Sequence, residues 1–245
     1  MVALIRLPLI CLYFILVNIV LVIVCIARPF HRDNVYAAGK LYSSTARLFG
    51  LKVIFRSDEA LKNKGPYVFI GNHQNSFDIF TICGAAMPGT VTIGKKSLIW
   101  IPLFGLVYWL SGNILIDRKN SNKARGTLDI AARKIRERKL SVWMFPEGTR
   151  SNGQGLLPFK SGAFKLAQLT KEPVVMICAS SLHQKVKLNR WNNGTLLVDV
   201  LAPIQMDDSK TTKEWASYFH QQMQTRITQL DEEVKQLDRG NHNDD

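Results

Sequence analysis

Apolar positions change their spacing along this chain, and the changes divide it. Residues 7–27, LPLICLYFILVNIVLVIVCIA, carry no charge, and Asn18 is their one strongly polar side chain. The run of 21 is long enough to span or enter a bilayer. It exceeds the roughly 7–15 residues of a signal-peptide apolar region, and no A-x-A-like cleavage site follows, so a retained anchor is expected. The next stretch, VYAAGKLYSSTARLFG, sets Val35, Leu41, Tyr42, Leu48 and Phe49 among basic and small residues, as an interfacial helix would. Beyond it, the β-rich runs YVFI, TVTI, SVWMF, VVMICA and TLLVDVL alternate with the helix-like segments DIFTICGAA, NSNKARGTLDIAARKIRERK and KSGAFKLAQLT. This alternation predicts an α/β fold, a sheet covered by helices. Trp215, Phe219, Met223, Ile227, Leu230, Val234 and Leu237 recur every three or four residues and predict an amphipathic C-terminal helix closing the core. The expected organisation is membrane-anchoring helices over 1–50 and an α/β domain over 51–240.

One apolar stretch fits neither class. SLIWIPLFGLVYWLSG, residues 97–112, is interrupted by Pro102 and Gly105 and is short for a spanning helix. It reads as a buried core segment, or as the wall for an acyl chain or a membrane-facing surface.

The net charge of +13 and pI near 9.7 call for an anionic partner. Basic residues run from Arg6 to Arg239 without alternating with aromatics, and no zinc-finger or RNP-like pattern is present, so nucleic acid is disfavoured. With an apolar anchor in the chain, anionic membrane lipids or a phosphorylated substrate are the better fit. Arg28, Arg32, Lys40 and Arg47 follow the apolar run, and only Arg6 and the amino terminus precede it. If the run spans, this bias puts the C-terminal bulk in the cytoplasm. A re-entrant helix pair with both ends on that side fits equally. The four cysteines sit in apolar surroundings with no C-x-x-C spacing, which suits buried thiols in a reducing compartment, with neither disulfides nor a metal site.

Candidate chemistry gathers behind the predicted strands. NHQNSFD, residues 72–78, follows YVFI. On a regular helix His73 and Asp78 would point about 140° apart, so they meet only if the chain turns between them, which Asn75 and Ser76 permit. The plainer alternative makes Asp78 the cap of a helix beginning at DIFTICGAA. GTVTIGKKS matches seven positions of a phosphate-binding G-x4-G-K-[ST] loop, but Lys96 takes the eighth and the β-branched interior belongs to a strand. Lys95 and Lys96 at a strand end can still bind phosphate as point charges. FPEGTRS ends the strand SVWMF: Pro146 stops the pairing and Gly148 allows a turn. Glu147 and Arg150 then form a structural ion pair, or Arg150 holds an anionic head group while Glu147 fixes the arginine or a hydroxyl. GNILIDR supplies Asp117 and Arg118, and Lys160 opens a helix N-terminus, a natural anion site.

In an open α/β sheet the junctions at strand C-terminal ends converge on one cleft. His73/Asp78, Lys95/Arg118 and Glu147/Arg150 are therefore expected together. The chain has no G-x-S-x-G elbow. A His–Asp pair without its own serine can activate a substrate hydroxyl, which with a phosphate cluster beside it describes acyl transfer to a phosphorylated alcohol.

These stretches resemble the motifs of the glycerolipid acyltransferase superfamily. NHQNSFD is similar to its H-x4-D block, GNILIDR to the second, FPEGTRS to the third and EPVVMICA to the fourth, over about residues 65–180. The ordered set, with LPFKSGAF, is specific where H-x4-D alone is not. Met176 replaces a usual proline of the fourth block, and GKKSL stands for the commoner AKKEL. The resemblance implies a mixed sheet flanked by helices with a membrane-embedded N-terminal segment at the cytoplasmic side of a bacterial inner membrane. It implies transfer of a fatty acyl group from acyl-CoA or acyl carrier protein to the sn-2 hydroxyl of lysophosphatidic acid, with no metal or cofactor. His73 would be the base and Asp78 its orienting carboxylate. Lys95, Arg118, Glu147, Gly148, Thr149 and Arg150 would bind the acceptor, and a backbone N–H near Gly148 would serve as oxyanion donor. Glycerol 3-phosphate or a lipid A precursor are alternative acceptors, and a non-catalytic anionic-lipid adaptor is the alternative class, which leaves His73 with Asp78 unexplained.

Overall fold

Strands buried on both faces read as continuous apolar runs, and three segments here are buried along their whole length: β2 (Val68–Gly71), β6 (Val174–Ala179) and β7 (Thr195–Val200). The computed structural model describes residues 1–62, 65–116 and 121–240. Among these, the three join β1 (Lys52–Ser57), β3 (Thr90–Lys95), β4 (Ile114–Ile116) and β5 (Ser141–Met144) in a seven-stranded sheet of order β1-β7-β6-β2-β5-β3-β4. Only β6 and β7 pair antiparallel; every other neighbour is parallel, so the sheet is mixed. The directions bring the C-terminal ends of β6, β2, β5, β3 and β4 to one edge, where β7 and β1 begin.

The helices are α1 (Val2–Ala27), α2 (Asn34–Ser44), α3 (Phe104–Leu110), α4 (Ser121–Arg138), α5 (Gly162–Thr170) and α6 (Thr212–Gly240). One face of the sheet, through Val68, Ile70, Val142 and Val174, packs on α4, α5 and α6, whose Ile135, Phe164 and Phe219 are fully buried. Phe69, Trp143, Val175 and Ile177 form the other face under Ile82 and Ala85. The C-terminal helix thus closes the core through Trp215, Phe219, Met223, Leu230 and Val234, as its spacing predicts, while Leu237 at the end of the stripe is exposed.

Three expectations need correction. DIFTICGAA is two 3-10 turns, Ser76–Phe80 and Ile82–Ala85, broken where Thr81 leaves helical dihedrals (φ −128, ψ −91). β4 lies within GNILIDR, outside the five runs read as strands, because three residues are too few to show an alternation. β1 is an edge strand whose six positions are exposed or half-exposed, so it lacks the apolar run that marks the central strands.

α1 packs its Val17, Leu21 and Cys25 stripe against Ala38 and Tyr42 of α2 and Val107 and Leu110 of α3. Asn18 is buried there: its Oδ1 accepts from the Tyr42 hydroxyl at 2.9 Å and its Nδ2 donates to the Phe14 carbonyl at 2.8 Å. The buried Arg6 donates to the carbonyls of Leu188 (3.2 Å), Arg190 and Trp191 (2.9 Å), beside the start of β7. Just past the other end, the Phe30 N–H donates to the Leu110 carbonyl at 2.8 Å. Both ends of α1 are therefore held by the α/β domain, and the helix crosses one face of it. Its outward side, including Leu4, Leu9, Leu12, Leu16, Ile19, Ile23 and Ile26, is exposed.

Candidate active site

At the end of β2 the chain is locked to its neighbour before it turns. The Asn72 amide and the Ala179 backbone exchange hydrogen bonds, both at 2.9 Å. The Gln74 amide donates to the Ser180 carbonyl at 2.8 Å and accepts from Leu182 N–H at 2.7 Å. Asn75 then caps the 3-10 turn, accepting from Phe77 N–H at 2.8 Å. The cap is therefore Asn75, and Asp78 lies inside the turn with its carboxylate directed back. Asp78 Oδ2 accepts from Gln74 N–H (2.8 Å) and Asn75 N–H (3.3 Å) and meets His73 Nδ1 at 2.6 Å. The turn between His73 and Asp78 joins the pair that a helix would have separated.

This geometry selects a tautomer. A carboxylate can only accept, so His73 Nδ1 carries the proton and Nε2 keeps its lone pair. The ring lies flat on Phe145, centroids 4.1 Å apart and planes within 15°, which fixes its orientation. The His73 side chain is 18% exposed and that of Asp78 6%, so the base is reachable and its orienting group is sealed.

The exit of β5 supports this loop from the side. Glu147 is 2% exposed, and its two oxygens accept from His73 N–H at 2.6 Å and Leu157 N–H at 2.9 Å. Burial pushes its carboxyl above the usual range, while the two backbone donors pull the other way. The expectation of Glu147 as an acceptor-binding group, or as an ion-pair partner of Arg150, is corrected: it is a positioning residue that ties the His73 and Leu157 loops together. Of the N–H groups near Gly148, that of Gly148 itself closes a turn onto the Phe145 carbonyl at 3.0 Å, which leaves its neighbours as oxyanion donors. Gly148 has φ +71, and a Cβ there would stand 2.8 Å from Lys160 Nζ, so glycine lets the lysine cross the turn.

Arg150 is exposed and donates to the Ser76 hydroxyl at 3.1 Å, which brings it against the His73 loop. Thr149 is exposed beside it. Lys95 is exposed at the end of β3, two strands from β2 and so about 10 Å across the edge at ordinary strand spacing. Asp117 and Arg118 lie outside the described residues. Sequence reading missed the roles of Asn72, Gln74 and Phe145; all three stand inside or beside the motifs, but their work is done by contacts to other strands.

The stretch 97–112 is partly buried and partly exposed. Trp100 is 80% exposed, and Ile101, Leu103, Leu106 and Trp109 are exposed too. Its inner side chains Phe104, Val107 and Tyr108, with Ala38, Tyr42 and Trp143, line a mainly apolar cavity of about 110 Å³.

Comparison with known proteins identifies the family. A family model described as Acyltransferase matches residues 52–180. The chain is 42% identical over 236 residues to a 1-acyl-sn-glycerol-3-phosphate acyltransferase of Haemophilus influenzae, covering 96% of this chain and 98% of that one. It is 42% identical over 231 residues to the Escherichia coli protein of the same name, with 94% of each covered. The crystal structure of the 1-acyl-sn-glycerophosphate (LPA) acyltransferase PlsC from Thermotoga maritima shares the fold, with TM-score 0.71 at 20% identity over 93% of this chain and 97% of that one.

Proposed function

The chain belongs to the acyltransferase family, and on that premise we propose that it acylates the sn-2 hydroxyl of lysophosphatidic acid to give phosphatidic acid. The observation that carries the reading is the His73–Asp78 pair, 2.6 Å apart at the sheet edge, with His73 Nε2 left as a base. Nε2 takes the proton of the acceptor hydroxyl as its oxygen attacks the carbonyl of an acyl thioester. Asp78 stabilises the imidazolium that forms. The tetrahedral intermediate then collapses with cleavage of the C–S bond, and the imidazolium returns the proton to the departing thiolate. The thioester is acyl-CoA or acyl-acyl carrier protein. Arg150, with Lys95 and Arg118, holds the acceptor phosphate. Among the described residues the Thr149 N–H, next to Gly148, has no intramolecular acceptor, and it serves as the oxyanion donor.

The exposed apolar side of α1, with Trp100 and Trp109, supports attachment to the membrane that holds the acceptor. Arg28, Arg32, Lys40 and Arg47 behind the apolar run favour the cytoplasmic side, in a bacterium that of the inner membrane. Because that surface is apolar, full-length protein should float with vesicles of neutral lipid at high salt. Salt-sensitive flotation would mean that charge alone attaches it.

The purified protein should form phosphatidic acid from lysophosphatidic acid and palmitoyl-CoA or palmitoyl-acyl carrier protein, and glycerol 3-phosphate should be a poor acceptor. Failure with every donor would overturn the reading. Within it, Arg150→Ala should raise the KM for lysophosphatidic acid by about 10–100-fold with kcat little changed, since a charge-assisted contact present in the ground state is lost. A change confined to the donor KM would move Arg150 to the donor site.

A further inference from the structure

On the α6 side of the catalytic edge, the segment from Ser181 to Gly194 and the last turns of α6 enclose an open groove of about 1060 Å³. Lys185, Lys187 and Arg190 line one wall, and Lys235 and Arg239 the other. Two carboxylates face the same space, and both are engaged by the protein. Asp231 accepts from Ser181 N–H at 2.6 Å; Asp238 accepts from Thr195 N–H at 2.9 Å and from Lys185 at 3.2 Å. Lys187, Arg190 and Arg239 have no carboxylate partner among the described residues. A narrower cavity of about 220 Å³ shares Ser181, His183 and Asp231 with the groove, and reaches Asn72, Gln74 and Glu147, the residues flanking and supporting His73.

We propose that this groove binds the phosphorylated nucleotide end of an acyl-coenzyme A donor, with the pantetheine arm running through the narrower cavity toward His73. The proposal rests on the acyl-transfer reading and names the donor side of that site. Uncompensated cations on facing walls suit a ligand with phosphates on both its ribose and its diphosphate. The groove is concave and of the size of small-molecule sites, about 300–1,000 Å³. A folded carrier protein would instead need about 800 Å² of surface it can lie against. The elongated shape, wide and basic at one end and narrow at the catalytic loop, matches a charged head on a neutral arm.

The test uses full-length protein and the double variant Lys187→Glu/Arg190→Glu, with Arg239→Glu as a second variant on the opposite wall. The Arg190 carbonyl that receives Arg6 belongs to the backbone and is kept. Wild type should show a lower KM for palmitoyl-CoA than for palmitoyl-3′-dephospho-CoA. Both variants should raise the KM for palmitoyl-CoA about tenfold or more and lose that preference, with kcat and the KM for lysophosphatidic acid unchanged. An unchanged KM for palmitoyl-CoA, a rise confined to palmitoyl-acyl carrier protein, or a rise confined to lysophosphatidic acid would each overturn it. Calorimetry with free coenzyme A gives a readout without turnover. Binding by wild type that both variants lose would uphold the groove even if the acceptor proved to be another alcohol. Binding unaffected by the variants, or absent from wild type, would sink it.

Discussion

Replacing His73 by alanine is expected to lower acyl transfer by about 10²–10⁴-fold, the usual contribution of a general base. Without Nε2 nothing at the site can take the acceptor's proton as its oxygen attacks, and a neutral hydroxyl is a poor nucleophile toward a thioester. The fold should survive, because the loop does not depend on the imidazole. Asn72 and Gln74 tie it to β6, and the His73 N–H still reaches Glu147 through the backbone. A melting temperature close to wild type together with lost kcat/KM is the expected pair of results. Activity within threefold of wild type would remove His73 from the chemistry.

Asp78→Asn is expected to cost about 10³–10⁴-fold in kcat, comparable to the loss of a triad aspartate's charge. Asp78 Oδ2 collects two backbone N–H groups as well as His73 Nδ1. An amide oxygen can keep the backbone donors but cannot offset the imidazolium charge. If the amide nitrogen faces Nδ1 instead, the proton moves to Nε2 and the base is lost. Loss of the charge partner should lower kcat and leave the KM for the acceptor little changed, because the imidazolium forms only as the reaction proceeds. A variant with near-normal kcat would show that Asp78 serves only as part of the turn. Since its side chain is nearly sealed from solvent, added acetate should not rescue it.

The strands were legible because burial on both faces demands an unbroken apolar run, as in VVMICA and TLLVDVL, and all five runs read as strands are strands. The site's location was legible for a similar reason. Polar residues directly behind a buried strand must lie at the sheet edge, so NHQNSFD and FPEGTRS could be placed before any coordinate. Their partners could not be. Glu147 and Arg150 look like an ion pair in sequence, three positions apart, yet one is buried on two backbone donors and the other is exposed against Ser76. A carboxylate's partners depend on which loops the strand order brings beside it, and that order, β6-β2-β5-β3, is not a local property.

Residue type and spacing alone were enough to determine that His73 and Asp78 could meet only across a turn, that the chain is α/β, and that its first apolar run suits a bilayer. Tertiary structure decided that Asn75 caps the turn, that Gly148 gives its N–H to Phe145 and not to a substrate, and that α1 crosses the domain with both ends held. The division follows from the range of the forces involved. Hydrophobic periodicity and turn preference act within a few residues and leave their mark in the order of side chains. A hydrogen bond such as that between His73 and Glu147 joins positions 74 apart in the chain, and it exists only once β2 and β5 have paired.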